Sequence, residues 1–298
     1  MSTIVWRFSD GKPGHDIQTL GLAQALQTQA DVEIFTLPVD NGPGGLWLWL
    51  SGRYPGAARL PAPDLLLGAG HKTHFHLLAA RRRRGGRIIL CMKPSLPLSW
   101  FDLCLIPEHD APPRAANVLV TSGVLNTVQA GGRHDADTGL IVLGGPSRHF
   151  HWDDDDIVQQ VEQLLAARPR SRWLLGTSPR TPASLARRLA ARSEFEYVPF
   201  AASGSDWLAQ SMAEAGEVWV SEDSVSMLYE ALSSGARVGV LKVGRSAANR
   251  VTAGVDALVE RGWLGRPGDW QPGAGPERPF NEAGRCAAWV RQRWLSAR

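Results

Sequence analysis

LIVLGGPSRHFHWDDDDIVQQVEQLLAARPRSRWLL, residues 140–175, decides how the chain folds. Leu140–Leu143 is a short apolar run closed by a Gly-Gly-Pro turn. Asp154–Ala167 then has helical spacing, and a second apolar run starts at Arg172. Short apolar runs bounded by turn residues read as buried strands, and a helix between two of them reads as a crossover joining parallel neighbours. The same alternation continues towards the C-terminus: Pro182–Ala191 helix, Phe195–Pro199 strand, Trp207–Ala215 helix, Glu217–Val220 strand, Val225–Ser233 helix, Arg237–Lys242 strand and Arg250–Glu260 helix.

Upstream, a second series reads Thr3–Phe8 strand, Gln18–Gln27 helix, Val32–Leu37 strand, Leu65–Leu67 strand, Thr73–Arg82 helix, and strands at Arg87–Met92, Leu103–Ile106 and Val118–Thr121. The polar, Gly-containing stretch Gly131–Asp137 separates the two series and is the expected linker. At 298 residues the chain is longer than one growing core comfortably serves, so two α/β domains with parallel sheets are expected. Gly265–Pro279 reads as an extended crossing, followed by a last helix from Asn281 to Leu295 that can pack back on the first domain.

An apolar fraction of 44% and a charged fraction of 20% are those of a globular protein, and no apolar run approaches a membrane span. Met1 leads directly into Thr3–Trp6 without the regions of a secretory signal, which predicts a cytoplasmic protein. Cys91, Cys104 and Cys286 lack any CxxC spacing and read as buried thiols. The net charge of +3 comes from arginine, since Lys12, Lys72, Lys93 and Lys242 are the only lysines. Guanidinium suits phosphate, carboxylate or anionic lipid. No zinc finger, basic helix or RNP-like motif points to nucleic acid.

Ser9-Asp10-Gly11-Lys12-Pro13-Gly14-His15-Asp16 closes the first strand, where an open parallel sheet presents its ligand. Gly11 and Gly14 permit a tight turn and the following helix offers N–H groups to an anion, although the spacing is neither Walker A nor GxGxxG. The plainer alternative is an ordinary strand-to-helix turn with Asp16 as the cap. Gly68–His76 is a second glycine turn, in which His71, Lys72 and His74 read as a polar wall. No carboxylate stands near enough in sequence to complete a zinc set.

In the second half, Gly144, Gly145, Pro146 and Ser147 form a turn suited to phosphate. Asp153–Asp156 read as helix-start carboxylates in preference to a metal motif. Thr177 and Arg180 lie in another strand-to-helix turn, fit for a pyrophosphate or for a plain cap. Ser221, Glu222, Asp223, Ser224, Ser226 and Met227, with Glu230 beyond, collect hydroxyls and carboxylates at one strand end. They suit ribose or sugar hydroxyls, and Ser224 and Ser226 suit phosphate. Asn249 and Arg250 close a polar turn able to neutralise a diphosphate, or to form a surface ion pair. Leu46–Leu50 (LWLWL) and the Arg81–Arg84 run together fit an anionic membrane surface, while core packing of the tryptophans is the alternative.

At SDGKPGHDIQ (9–18), GHKTH (70–74), GGPS (144–147), TSPRTP (177–182) and VSEDSVSM (220–227) the chain resembles the mitochondrial-fission ELM-like family, whose bacterial members are grouped with GtrOC-type glycosyltransferases. The resemblance implies a GT-B-like fold: two facing Rossmann-like domains, with the last helix crossing back to the first. Residues 1–135 with 281–298 would form the acceptor side, including Gly11, Lys12, Gly14, His71, Lys72 and His74. Residues 136–280 would hold a nucleotide diphosphate-sugar as co-substrate, with no required metal or other cofactor.

The implied activity is sugar transfer to a cell-envelope acceptor, lipid-linked or glycan, at the inner face of the cytoplasmic membrane. His15 is the implied base, with Asp10 or Asp16 in its place as alternatives. A histidine suits the task because its ordinary pKa of about 6.5 lies near neutrality. Rival readings are a sugar-nucleotide epimerase of the same architecture, and a non-catalytic membrane-associated interaction protein.

Overall fold

The structure, a computed structural model, describes residues 2–39, 44–54, 58–204, 206–247, 250–268 and 280–295. It divides into two compact units, Met1–Thr127 with Asn281–Arg298, and Val128–Phe280.

The first unit runs β1 (Thr3–Ser9), α1 (Pro13–Gln27), β2 (Val32–Pro38), α2 (Gly44–Ser51), β3 (Leu65–Ala69), α3 (His74–Arg84), β4 (Arg87–Cys91), β5 (Leu103–Pro107) and β6 (Val118–Thr121). Its six strands lie in the order β2-β1-β3-β4-β5-β6, all parallel. Both faces are covered, so the central strands β3, β4 and β5 are nearly continuous apolar runs instead of alternating. Val5, Leu65, Leu67 and Ile89 pack with Leu22 and Leu26 of α1. Trp6, Phe8, Leu66, Ile88 and Leu90 pack on the other side with Leu77 and Leu78 of α3. The chain leaves β1 towards β2 and then returns to the opposite side for β3, so the loops after β1 and β3 diverge at a topological switch point.

Two differences from the sequence reading have physical causes. α1 begins at Pro13, five residues before the expected Gln18, because proline at N1 carries a helix-ready φ and needs no N–H partner. α2 occupies the stretch between Leu37 and Leu65, where the sequence reading assigns no element. Its apolar residues point both ways: Trp49 packs its ring 5.7 Å from Phe75 and 5.4 Å from Trp100, while Trp47 is exposed. The LWLWL stretch is therefore part core and part surface.

The second unit runs β7 (Asp135–Leu143), β8 (Phe150–His151), α4 (Asp154–Ala167), β9 (Arg172–Thr177), α5 (Ala183–Ala190), β10 (Glu196–Val198), α6 (Trp207–Glu214), β11 (Ala215–Ser221), α7 (Val225–Ser234), β12 (Arg237–Leu241), β13 (Gly244–Arg245) and α8 (Arg250–Glu260). Five parallel strands lie in the order β10-β9-β7-β11-β12, while β8 and β13 form a separate two-residue antiparallel pair. Here the switch point falls between β7 and β11. Gly139 and Gly239 make room for two core rings: a Cβ there would lie 2.4 Å from Trp173 and 2.3 Å from Trp219.

The last helix, α9 (Glu282–Val290), belongs to the first unit and packs on α1, as the sequence suggests. Asn281 caps it by accepting from the Gly284 N–H at 2.7 Å. Glu282 accepts from the Ser122 N–H at 2.9 Å, Gln29 donates to the Gly284 carbonyl at 3.0 Å, and Cys286, Ala287 and Val290 enter the core beside Leu22 and Leu26. All three cysteines are buried and free; burial pushes the Cys91 and Cys104 thiols up to about 12.

Candidate functional site

In the second unit the loops after β7, β9 and β11 are tied into one block. The Gly144 N–H donates to Ser221 Oγ at 2.7 Å, the Gly145 N–H donates to Asp223 Oδ2 at 3.0 Å, and Ser221 Oγ donates to Asp223 Oδ1 at 2.7 Å. Arg180 completes the knot. Its Nη2 lies 2.7 Å from Asp223 Oδ2 and its Nη1 donates to the Gly145 carbonyl at 2.7 Å. Thr181 and Ser178 hydroxyls both donate to the Gly144 carbonyl, at 2.6 and 3.0 Å. The glycines are required by this closeness: a Cβ on Gly144 would lie 2.1 Å from the Asp223 carboxylate, and one on Gly145 2.0 Å from the Arg180 carbonyl.

This geometry commits part of the expected donor set to contacts within the protein. The N–H groups of Gly144 and Gly145 are already donated within the protein, and the Asp223 carboxylate, with a side chain 0% exposed, is saturated by Arg180, Ser221 and Gly145. Gly144, Gly145, Ser221, Asp223 and Arg180 therefore hold the three loops of the switch point together, and of these Arg180 keeps a side chain 41% exposed. Glu222 is similarly committed. Arg245 donates through Nε to Glu222 Oε1 at 2.8 Å and also through Nη2, and it grips Asp256 with two bonds of 2.7 and 2.8 Å. These two carboxylates hold the Arg245 guanidinium pKa above its ordinary value.

Asp153 caps α4, accepting from the Asp155 and Asp156 N–H groups at 2.8 and 3.2 Å, so the acidic run is a helix start. Thr177 accepts from the Phe200 N–H at 3.1 Å. Pro146 and Ser147 border a cavity of about 580 Å³ together with Trp152 and Pro182. Asn249 lies outside the described residues, as does the side chain of Arg250, whose backbone opens α8.

What remains open is the start of α7. Ser224 stands at the N-cap with no side-chain cap bond, so the first-turn N–H groups after it are not capped by a side chain. Ser226 is exposed in that turn, and Glu230 lies one turn on along the same face. Burial raises the Glu230 carboxyl above the usual carboxylate range, and no partner holds it among the described residues. Met227 sits half-buried between them.

In the first unit the switch point between β1 and β3 joins the two glycine loops. His15, in the first turn of α1, places Nδ1 2.9 Å from Asp10 Oδ2, with side chains 17% and 1% exposed. Asp10 Oδ1 also accepts from the Lys12 N–H at 3.2 Å. Gly70, at φ +75°, lies directly under the imidazole, where a Cβ would be 2.2 Å from His15 Cε1. A buried carboxylate accepting the Nδ1–H fixes the tautomer and leaves Nε2 as a proton acceptor.

Gly11 (φ +73°) and Gly14 are exposed and uncrowded, as is Lys12 at the N-cap position. Asp16 is neither cap nor free base. It pairs with Arg7 at 3.3 Å, and Arg7, nearly buried within β1, also donates to Thr36 and Thr19. An arginine inside the apolar run TIVWRFS was the visible sign that a carboxylate must answer it.

The mitochondrial fission ELM1 family matches residues 13–294. The chain belongs to that family. Among solved structures, this ELM1-family chain is similar to a Listeria monocytogenes protein assigned as a UDP-N-acetylglucosamine 2-epimerase (14% identity, 100% of this chain and 98% of that one, TM-score 0.63). It is also similar to the UDP-GlcNAc 2-epimerase of Neisseria meningitidis bound to UDP-GlcNAc (12% identity, 99% and 100% covered, TM-score 0.57). MurG of Acinetobacter baumannii aligns with 14% identity over 97% and 90% of the two chains at a TM-score of 0.48. The fold is GT-B. No curated protein shares significant sequence similarity with the chain.

The structure removes one residue of the ELM1-family chain from the expected acceptor wall. His71 is exposed and Lys72 half-buried, but His74 is 2% exposed, edge-on to Phe101 at 5.2 Å with Ser95 Oγ 3.4 Å from Nδ1. Burial first, and the neighbouring His71 second, hold its pKa down at about 4. The native state therefore refuses a proton that the unfolded chain accepts below about 6.5. Stability should fall as pH drops from about 6.5 and stop falling, on this account, below about 4. Urea titrations of wild type and His74→Phe across that window should show a smaller acid loss in the variant; equal slopes would contradict the assignment.

Proposed function

We propose that the chain transfers a sugar from a nucleotide diphosphate-sugar to a hydroxyl of a cell-envelope acceptor, lipid-linked or glycan. The observation that carries this is the Asp10–His15 pair at the switch point of the first unit. A histidine oriented through Nδ1 by a buried carboxylate, with its own ring still 17% exposed, suits the role of general base. In the proposed reaction the acceptor oxygen attacks the anomeric carbon and its proton passes to His15 Nε2. The bond from that carbon to the diphosphate oxygen breaks, and the diphosphate leaves with the electron pair.

The second unit is assigned the donor. Uncapped N–H groups at the start of α7, with Ser224 and Ser226, suit the diphosphate, because a helix N-terminus stabilises developing negative charge. Glu230 suits two hydroxyls of the ribose or sugar, since a carboxylate accepts hydrogen bonds and binding would give this one the partners it lacks. Pro146, Ser147 and Thr177 stand on the loops beside the same switch point, with Asn249 and Arg250 assigned from sequence alone. Lys12 and His71 are assigned to an anionic acceptor. No metal is given a role.

Calorimetry with a panel of nucleotide diphosphate-sugars tests the donor half. Glu230→Gln should weaken the best binder about tenfold, the loss typical of a hydrogen bond to a charged group, and Ser226→Ala should weaken it less. Unchanged affinity in both would remove the donor assignment. An epimerase would use similar donor contacts but no acceptor, so an epimer appearing from the bound sugar nucleotide alone would replace transfer as the reaction.

A further inference from the structure

We infer that the outward face of α2 and the arginines at the end of α3 form a docking surface for a bilayer rich in anionic lipid. Five large apolar side chains are exposed among the described residues. Three of them, Leu46 (44%), Trp47 (60%) and Leu50 (61%), share one turn and a half of α2. Positions i, i+1 and i+4 of a helix form one contiguous face. The opposite side of the same helix is anchored, with Trp49 against Phe75 and Trp100, so the exposed residues are held outward by packing.

The charge beside this face names its partner. Arg82 Nη1 donates to the Trp49 carbonyl at 3.0 Å, which lays its guanidinium across the C-terminal end of α2. Arg53 follows α2 and Arg83 follows Arg82, both exposed. Arg81 is paired with Asp102 at 3.2 Å and Arg84 donates to the Leu60 carbonyl, so these two are structural. Neither α2, nor residues 52–54, nor α3 contains a single Asp or Glu. Tryptophan and leucine flanked by Arg53, Arg82 and Arg83, which no carboxylate pairs among the described residues, fit the boundary between acyl chains and anionic head groups, where the ring is half solvated and guanidinium meets phosphate. Among the described residues no helix is long and apolar enough to cross a membrane, so the contact is one of lying on the surface.

Vesicle binding requires neither nucleotide nor catalysis, so its outcome is separate from the donor and base assignments. The full chain should float with phosphatidylcholine–phosphatidylglycerol vesicles and stay behind with phosphatidylcholine alone, and salt should weaken the binding. Trp47→Ser with Leu50→Ser should reduce binding about tenfold or more, since both signals are needed for stable anchoring. Arg82→Gln with Arg83→Gln should erase the preference for the anionic lipid. With brominated phosphatidylglycerol the wild type should lose part of its tryptophan fluorescence. Trp47→Phe should still float but lose that quenching, a result that does not depend on a fold-damaging change. Equal flotation of every variant, quenching that survives Trp47→Phe, or a wild-type dimer that Trp47→Ser converts to monomer would each overturn the inference.

Discussion

Replacing His15 with alanine is expected to lower the turnover of sugar transfer by about 10²–10⁴-fold, the usual worth of a positioned general base, while leaving the dissociation constant of the donor unchanged. The separation follows from where the residues sit: His15 belongs to the first unit, and the proposed donor contacts to the second. Asp10→Asn should come close to the same loss. Asparagine keeps the shape but no longer accepts with two anionic oxygens, so the 2.9 Å contact to Nδ1 ceases to select the tautomer with a free Nε2. Asp16→Asn should instead act on stability, because Asp16 answers the nearly buried Arg7. Steady-state kinetics of the three variants against one donor and one acceptor distinguish these roles. Equal turnover in wild type and His15→Ala would remove His15 from the chemistry.

The largest stability effect is expected at Asp223. Its side chain is 0% exposed and receives Arg180, the Ser221 hydroxyl and the Gly145 N–H. Asp223→Ala would leave the Gly145 N–H and the Ser221 hydroxyl without their acceptor, and each buried group so stranded costs about 1–3 kcal/mol, whereas Arg180, 41% exposed, can turn to water. Asp155→Ala is the control. Asp155 pairs with Arg188 at 2.8 Å but its side chain is 86% exposed, and exposed pairs are worth about 0–1 kcal/mol. Denaturant titrations of the two variants should therefore differ by several-fold in lost stability. Similar losses would mean that the three loops are not welded through Asp223.

The fold was readable from sequence where strands are buried on both faces, because such strands are plain apolar runs. Runs such as Leu65–Leu67 and Leu140–Leu143 announce themselves, and the helices between them carry their own spacing. α2 was not readable. GGLWLWLS is apolar on all sides, so periodicity cannot separate it from an irregular loop; its packing on α3 is what the helix rests on. The two-residue β8–β13 pair is too short to leave any pattern.

In the site, the sequence identified the loops but not what each residue does in them. Ser221, Glu222 and Asp223 read as free hydroxyls and carboxylates, yet Asp223 holds Arg180 and Glu222 holds Arg245, contacts separated by 43 and 23 residues respectively (223 minus 180, 245 minus 222). Spacing along the chain carries no information about pairs so far apart. Asp10 and His15 were visible as alternative bases, whereas their union depends on the strand end and the first helical turn folding towards each other.

The most direct test of the account is to follow a labelled sugar from its nucleotide diphosphate carrier into envelope lipid and glycan fractions, with the wild type and with His15→Ala. The account predicts label in an acceptor fraction, equimolar release of the nucleoside diphosphate, and neither with His15→Ala. Label that stays on the nucleotide, whether unchanged or as an epimer formed without any acceptor, would contradict it.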